Sequence, residues 1–296
     1  MKGGGYMNGV FASRAGRFTT LAAALLLAVF MTPSNDPSES VRRSLAFCAR
    51  SLVPSLFVTM VLGKILSSGM GASSKHVELR LLLYGLVCGS PYGAMTAREL
   101  CAEGCVSREK AAFLTSVVSG ASAPFIVSYV GVTLLGSVKK GIFLLVGNTA
   151  VTIAWYAILK FADGAKEGIH INNVKRKTLP RAVAESAEAM TAICGCVVFF
   201  AAVADTVCRG IENRYASVLI RGFFELSGGV SAASGMRPGA AYVLSAVFLG
   251  WSGVCIHLQT RLAAGEDVKT GRYLLGQAFR ASAMGLFAIA TKKYVI

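Results

Sequence analysis

The sequence predicts an all-α fold: a polytopic transmembrane helix bundle with inverted repeats and two broken, re-entrant helical hairpins. Three observations carry that prediction. The first is composition. Of the 296 residues, 54% are hydrophobic and only 15% are charged, where soluble domains carry about a quarter charged. With a mean hydropathy of +0.59, a water-soluble fold would expose large apolar patches, and disorder is excluded on the same ground. The second is a succession of apolar runs, each long enough or nearly long enough to cross a bilayer, with the basic residues gathered between them. The third is that two of these runs are interrupted by Gly, Ser and Pro at depths where lipid cannot satisfy a free peptide group.

The net charge of +15, from 30 Lys/Arg against 15 Asp/Glu, reads as topology rather than nucleic-acid binding. The cations lie in connectors, and no basic surface interleaved with aromatics is present. The eight cysteines read as small apolar side chains. Cys48, Cys88, Cys194, Cys196, Cys208 and Cys255 lie in or beside apolar runs, Cys101 and Cys105 are four apart, and no C-x-x-C occurs. His76, His170 and His257 are scattered, so neither structural zinc nor any other metal or cofactor is expected.

Along the chain, residues 1–17 form a Gly-rich basic tail. Residues 18–32 read as an uncleaved first span, since no convincing cleavage site follows. Residues 33–44 read as a polar connector. Residues 45–69 form a long span containing Arg50, Pro54 and Lys64, in which Pro54 removes a backbone donor. The run 81–97 is apolar but broken at Gly89-Ser90-Pro91-Tyr92-Gly93, which predicts a half-helix or re-entrant hairpin. Ser107 is placed to cap a new helix at Arg108. Residues 111–136 and 141–159 read as spans, the first with a small-residue stretch at Ser119–Pro124 suited to close helix approach. Residues 160–185 are a basic loop that divides the chain. Residues 189–208 form a span, 218–235 a second broken segment containing Glu225, and 239–262 and 272–291 the last two spans.

Placing the tail and the basic 160–185 loop in the cytoplasm requires 81–97 to enter and leave on the cytoplasmic side, and 218–235 to enter from outside. The halves 18–159 and 186–296 then share one plan, span, broken hairpin, span, in opposite orientation, as in many secondary transporters. Gly89-x-x-x-Gly93 and Gly250-x-x-Gly253 are the best echoes between them, although they fall in different slots.

Several segments are familiar. Leu52-Val53-Pro54-Ser55-Leu56-Phe57, Gly85–Ala94, Gly120–Ile126, Glu225–Gly229 and Gly250–Gln259 resemble, in order and spacing, motifs of the YlbJ-type sporulation integral membrane proteins of the nucleoside recognition (Gate) domain family. That resemblance covers roughly residues 45–280. It implies a protein of the sporulating cell linked to spore cortex formation, and a nucleoside-like or related solute.

Ionisable and polar groups at membrane depth ask for a reason. Candidate substrate-binding residues are Gly89, Pro91 and Gly93 at the first break, Glu99 after it, Asn148, Glu225, His257 and Gln259. Glu225 is suited to a cation or to ribose hydroxyls. His257 and Gln259 point about 200° apart on a helix and share a site only if the chain unwinds at Gly250–Gly253. Arg50, Lys64, Asp205 and Arg280 read as interhelical contacts or as side chains that snorkel to the interface. No catalytic residue is nominated, because no H-E-x-x-H, P-loop or G-x-S-x-G occurs. The expected function is therefore a multi-pass transporter or permease of the cell membrane. Its partners are the lipid bilayer and a small polar solute or coupling ion, and its small-residue faces are compatible with a homodimer. The alternative is a non-transporting membrane component that recruits sporulation proteins through the 160–185 loop.

Overall fold

In the computed structural model, residues 37–69, 77–163, 177–265 and 270–296 are described, together with helical positions 23, 24, 27, 28 and 30. The span expected over 18–32 and the middle of the basic loop therefore lie largely outside the described residues. Among the described residues, five helices are long and apolar enough to cross a membrane: Ser38–Leu66, Val138–Ala162, Leu179–Cys208, Pro238–Ala264 and Gly271–Val295. The protein is an integral, multi-pass, all-α membrane protein.

Helix α1 begins at Ser38–Phe47, passes through a π-helical turn at Cys48–Leu52 and resumes over Val53–Gly69. The expected connector 33–44 is thus helical from Ser38, a correction. Arg42 and Arg43 offer Glu39 partners three and four residues away, which supports the first turns despite their polarity. Helices α2 (Val77–Cys88) and α3 (Tyr92–Ala102) meet at the Gly89–Pro91 turn. Helix α4 (Arg108–Val118) starts at Ser107, whose hydroxyl accepts the Lys110 N–H at 3.1 Å, as its sequence predicts. After a break at 119–122, the chain turns helical again at 123–124 and runs into the π-helical α5 (Phe125–Leu134), and the long α6 (Val138–Asp163) completes the first half. The second half holds the span α7 (Leu179–Cys208), the pair α8 (Arg214–Phe224) and α9 (Leu226–Ser234), the pair α10 (Pro238–Trp251) and α11 (Gly253–Ala264), and the span α12 (Thr270–Val295).

Both halves therefore read span, hairpin, broken span, span. The expectation of unbroken spans at 111–136 and 239–262 is corrected. The first stops helical bonding at Ser119, and the second turns at Ser252, whose φ of 73° is left-handed. The echo Gly250-x-x-Gly253 belongs to a broken span, and its counterpart in the first half is the 119–122 break, not the Gly89 turn.

Ion pairs show how the halves face one another. Arg43, early in α1, bonds Asp205, late in α7, at 3.1 Å. Lys64, late in α1, bonds Glu185, early in α7, at 2.9 Å. The lead spans are antiparallel, as an inverted repeat requires. The hairpins follow suit. Glu99 near the open end of α2–α3 joins Lys64 and Lys177, so this hairpin enters from the Lys64 end. In α8–α9, Arg214 donates to the Gly235 carbonyl and Arg221 pairs with Asp205, so the second hairpin enters from the Asp205 end. Close packing holds each hairpin in place. Gly85 and Gly93 both lie against Val118 of α4, and Gly229 lies against the Gly222 backbone, with no room for a Cβ.

In a cysteine-free background, single cysteines at Glu109 and at Glu212 will label with membrane-impermeant reagents from opposite faces of sealed vesicles. Labelling of both from one face contradicts the antiparallel arrangement.

Candidate functional site

A broken helix frees peptide groups that water cannot reach, so the first question is what satisfies them. At the first hairpin tip, the Ser90 N–H donates to the Gly120 carbonyl at 2.7 Å. Gly89 has φ +72°, and a Cβ there would stand 2.6 Å from the Ser122 backbone nitrogen. Tip and 119–122 break therefore bind each other directly. Behind the break, Gln277 of α12 donates to the Ser119 carbonyl at 2.8 Å. Arg280 donates to the carbonyls of Val117 and Ser119 at 3.2 and 3.3 Å, to Asn148 Oδ1 at 3.2 Å and to Thr152 Oγ1 at 3.0 Å. Its side chain is 1% exposed. Of the two readings offered for Arg280, the interhelical contact holds and snorkelling does not: the guanidinium caps the carbonyl end of α4, where the helix dipole favours a cation.

The second tip is built differently. Glu225 accepts from the Ser227 N–H at 2.8 Å, the Ser227 hydroxyl at 2.6 Å and the Gly228 N–H at 2.6 Å, capping α9. Gly253, the first residue of α11, lies against the Phe224–Leu226 backbone with a φ of +83°. The Trp251 indole donates to the Phe223 carbonyl at 3.1 Å. Each hairpin tip therefore docks on the broken span of its own half.

The two tips meet at one place. A cavity of about 50 Å³ is lined by Ser90 and Ser122 from the first half, by Glu225, Ser227 and Gln259 from the second, and by Leu52, Leu56, Ile193 and Val197 of the lead spans. Ser90 and Thr260 hydroxyls share a 2.7 Å hydrogen bond at its edge. On either side lies a larger hollow. One, of about 470 Å³, lies at the Lys64 end and shares Ile193 and Gln259 with the central cavity. The other, of about 350 Å³, lies at the Asp205 end and shares Glu225 and Ser227 with it. Helix α7 touches all three in turn, through Glu185, Ile193 and Asp205. Glu185 to Asp205 spans about 30 Å at 1.5 Å per residue, the thickness of a bilayer core.

Ion pairs guard both hollows. At one end Glu185 gathers Lys64, Lys177 and Arg181, and Lys177 also bonds Glu99 at 2.7 Å. Burial lowers the Lys177 ammonium, but its bonds to Glu185 and Glu99 outweigh that and hold it above the ordinary lysine range. At the other end Asp205 joins Arg43 and Arg221.

The eight nominated residues divide between the cavities and the scaffold. Glu225 and Gln259 line the central cavity, and Pro91 and Glu99 line the hollow at the Lys64 end. Gly89 and Gly93 serve backbone approach rather than a ligand. Asn148 lies behind the break as an acceptor for Arg280. His257 lies apart: its Nδ1 is 3.1 Å from the Tyr273 hydroxyl, and its ring stands edge-on to Trp251 and Tyr273. The helix does unwind at Ser252, yet His257 and Gln259 both follow the break on one regular helix and diverge as their spacing dictates. Sequence reasoning missed Ser90, Ser122, Thr260 and Ser227, because a single hydroxyl in an apolar run carries no periodic signal.

No family model matches the chain, and neither do the curated proteins or the solved structures compared with it.

Replacing Arg280 with Met will strip donors from two buried carbonyls, Asn148 and Thr152, and lower stability by roughly 2–5 kcal/mol. Lys will restore only part of this, since one ammonium cannot reach all four acceptors. Thermal unfolding in detergent checks the order wild type, Lys, Met.

Proposed function

We propose that this protein is a transporter or permease that moves a small polar solute by alternating access through the central cavity. The observation that carries the reading is the convergence of two opposed hairpin tips on one small cavity, mostly apolar but holding Glu225, Gln259 and three serines, with a hollow on either side. In transporters built from inverted repeats, discontinuous helices meet near the midplane and line the solute site, while the two repeats rock about it. The pairs Lys64–Glu185 and Arg43–Asp205 link the two halves at opposite ends, where an opening on either side would have to part them.

At about 50 Å³ the central cavity is far below the roughly 300 Å³ of an ordinary ligand pocket. In this reading the chain is closed at its centre, and one hairpin must withdraw before a solute the size of a nucleoside can enter. The resemblance of Leu52–Phe57, Gly85–Ala94 and Gly250–Gln259 to the YlbJ-type Gate family supports a nucleoside-like cargo, residence in the cell membrane and a role in spore cortex formation.

Purified protein in proteoliposomes, screened against radiolabelled nucleosides and cortex precursors, will show saturable uptake of at least one of them. Gly89→Ala, which forces a Cβ into the Ser122 backbone, will abolish that uptake. Absence of both flux and binding for every solute tested contradicts the proposal.

A further inference from the structure

The basic residues of the 160–185 loop have a topological reason, but five other cations lie at the opposite end of the bundle. Helix α6 carries Lys139 and Lys140 at its start and reaches the loop only after crossing the apolar layer. Arg237 precedes α10, and Lys292 and Lys293 lie in the last turn of α12. Packing brings these three helix ends together. The Tyr242 and Thr291 hydroxyls share a 3.3 Å hydrogen bond, Gly239 lies beside the Ile296 side chain, and Gly147 lies against the Phe287 ring. The starts of α6 and α10 therefore flank the end of α12.

No acid balances this patch. Residues 111–162, 226–265 and 270–296 contain no Asp or Glu, so α5, α10, α12 and the whole membrane-crossing length of α6 offer none. Among the described residues, none of the five cations pairs with a carboxylate. Lys140 donates to the Leu135 carbonyl at 3.3 Å, and the Lys293 ammonium stands 4.9 Å over the Tyr294 ring. The two mouths of the bundle are different, for there Lys64 and Lys177 meet Glu99 and Glu185, and Arg43 and Arg221 meet Asp205. Helix dipoles do not supply the missing negative charge. The C-terminus of α12 favours Lys292 and Lys293, but the N-termini of α6 and α10 beside it add positive charge.

Toward the bilayer the patch continues as apolar surface. Val138, Ile142 and Val146 recur every four residues along α6, Leu286 and Ile289 share a face of α12 with Lys293, and all five apolar side chains are exposed. Cations above apolar stripes match both parts of one molecule, a phosphate at the membrane surface and acyl chains below it. We infer that this corner of the bundle is a binding site for an anionic phospholipid, whose headgroup is held by Lys139, Lys140, Arg237, Lys292 and Lys293. Arg237 offers a planar fork suited to two phosphate oxygens, and the lysines act as point charges. The inference does not depend on the transport reading, since none of these residues lines the central cavity.

The test uses the full-length protein in a neutral detergent. Its melting temperature is followed while dioleoylphosphatidylglycerol, dioleoylphosphatidylcholine or sodium phosphate is added at constant ionic strength. A ligand that binds only the folded state raises the melting temperature saturably, and phosphatidylglycerol will do so at the lowest concentration. Lys292→Gln with Lys293→Gln will raise the half-saturating concentration by about tenfold or more. Lys139→Gln with Arg237→Gln, on the other two helices, will do the same and stands in if the first pair does not fold. Arg108→Gln with Lys160→Gln, which removes two cations from the opposite face, will leave the curve unchanged. Equal potency of the two lipids overturns the inference, as does an unchanged curve in the patch variants. An equal loss in the opposite-face variant also overturns it, since overall charge is then all that is read. Saturation by sodium phosphate at the concentration that phosphatidylglycerol requires overturns the lipid assignment in favour of a free-anion site.

Discussion

Interruptions of helical hydrogen bonding within apolar segments, at Gly89–Pro91, 119–122, Glu225 and Ser252 among the described residues, set the constraint on which the rest of this structure depends. In an apolar medium each freed N–H or C=O costs several kcal/mol unless the protein supplies a partner. The chain meets that demand by bringing the interruptions together. The first tip donates to the first broken span, Glu225 gathers the N–H groups of the second tip, and Gln277 and Arg280 occupy the carbonyls that α4 leaves open. A polar centre inside an apolar bundle is the direct consequence. Moving any one break away from the others would leave buried peptide groups without partners.

The antiparallel repeat then explains why the polar centre is flanked on both sides. Because α1 and α7 run in opposite directions, each end of the bundle pairs the start of one lead span with the end of the other. The charged residues that terminate them meet as Arg43–Asp205 and Lys64–Glu185. Opposed hairpins fill the space between these ends only as far as their tips, so a hollow remains behind each. The symmetry is not complete. The break of the first half is pinned from behind by a buried guanidinium of the second half, Arg280, while the second tip is capped by its own carboxylate. The Arg280 guanidinium therefore stands on one side of the 119–122 segment, and the Glu225 carboxyl lines the cavity on the other.

Much of this was legible in the chain. The run Gly89-Ser90-Pro91 places a turn where a helix would otherwise continue, and Glu225 followed by Ser227-Gly228-Gly229 marks a carboxylate among small residues. The Ser107 cap read correctly for the same reason: capping is local chemistry. The breaks at 119–122 and at Ser252 were not legible, because small residues in an apolar run also suit unbroken, closely packed helices. For Arg280 the sequence position allows either an interhelical contact or snorkelling, and only the tertiary placement of the Val117 and Ser119 carbonyls decides for the first. The connector 33–44 was misread because its charges pair within one helix face. The cavity hydroxyls Ser90, Ser122 and Thr260 come from three segments of the chain, and no local pattern unites them.

The proposed alternating access requires the central cavity to open in turn, through the hollow on either side, to each face of the membrane. A single cysteine replacing Ala121, which lines that cavity, measures this most directly in a cysteine-free chain. Small thiol reagents added to either side of oriented vesicles are predicted to modify it, while a cysteine at the exposed, lipid-facing Ile153 stays unmodified. If Ala121→Cys resists reagent from both faces, the cavity is sealed structure and not a path.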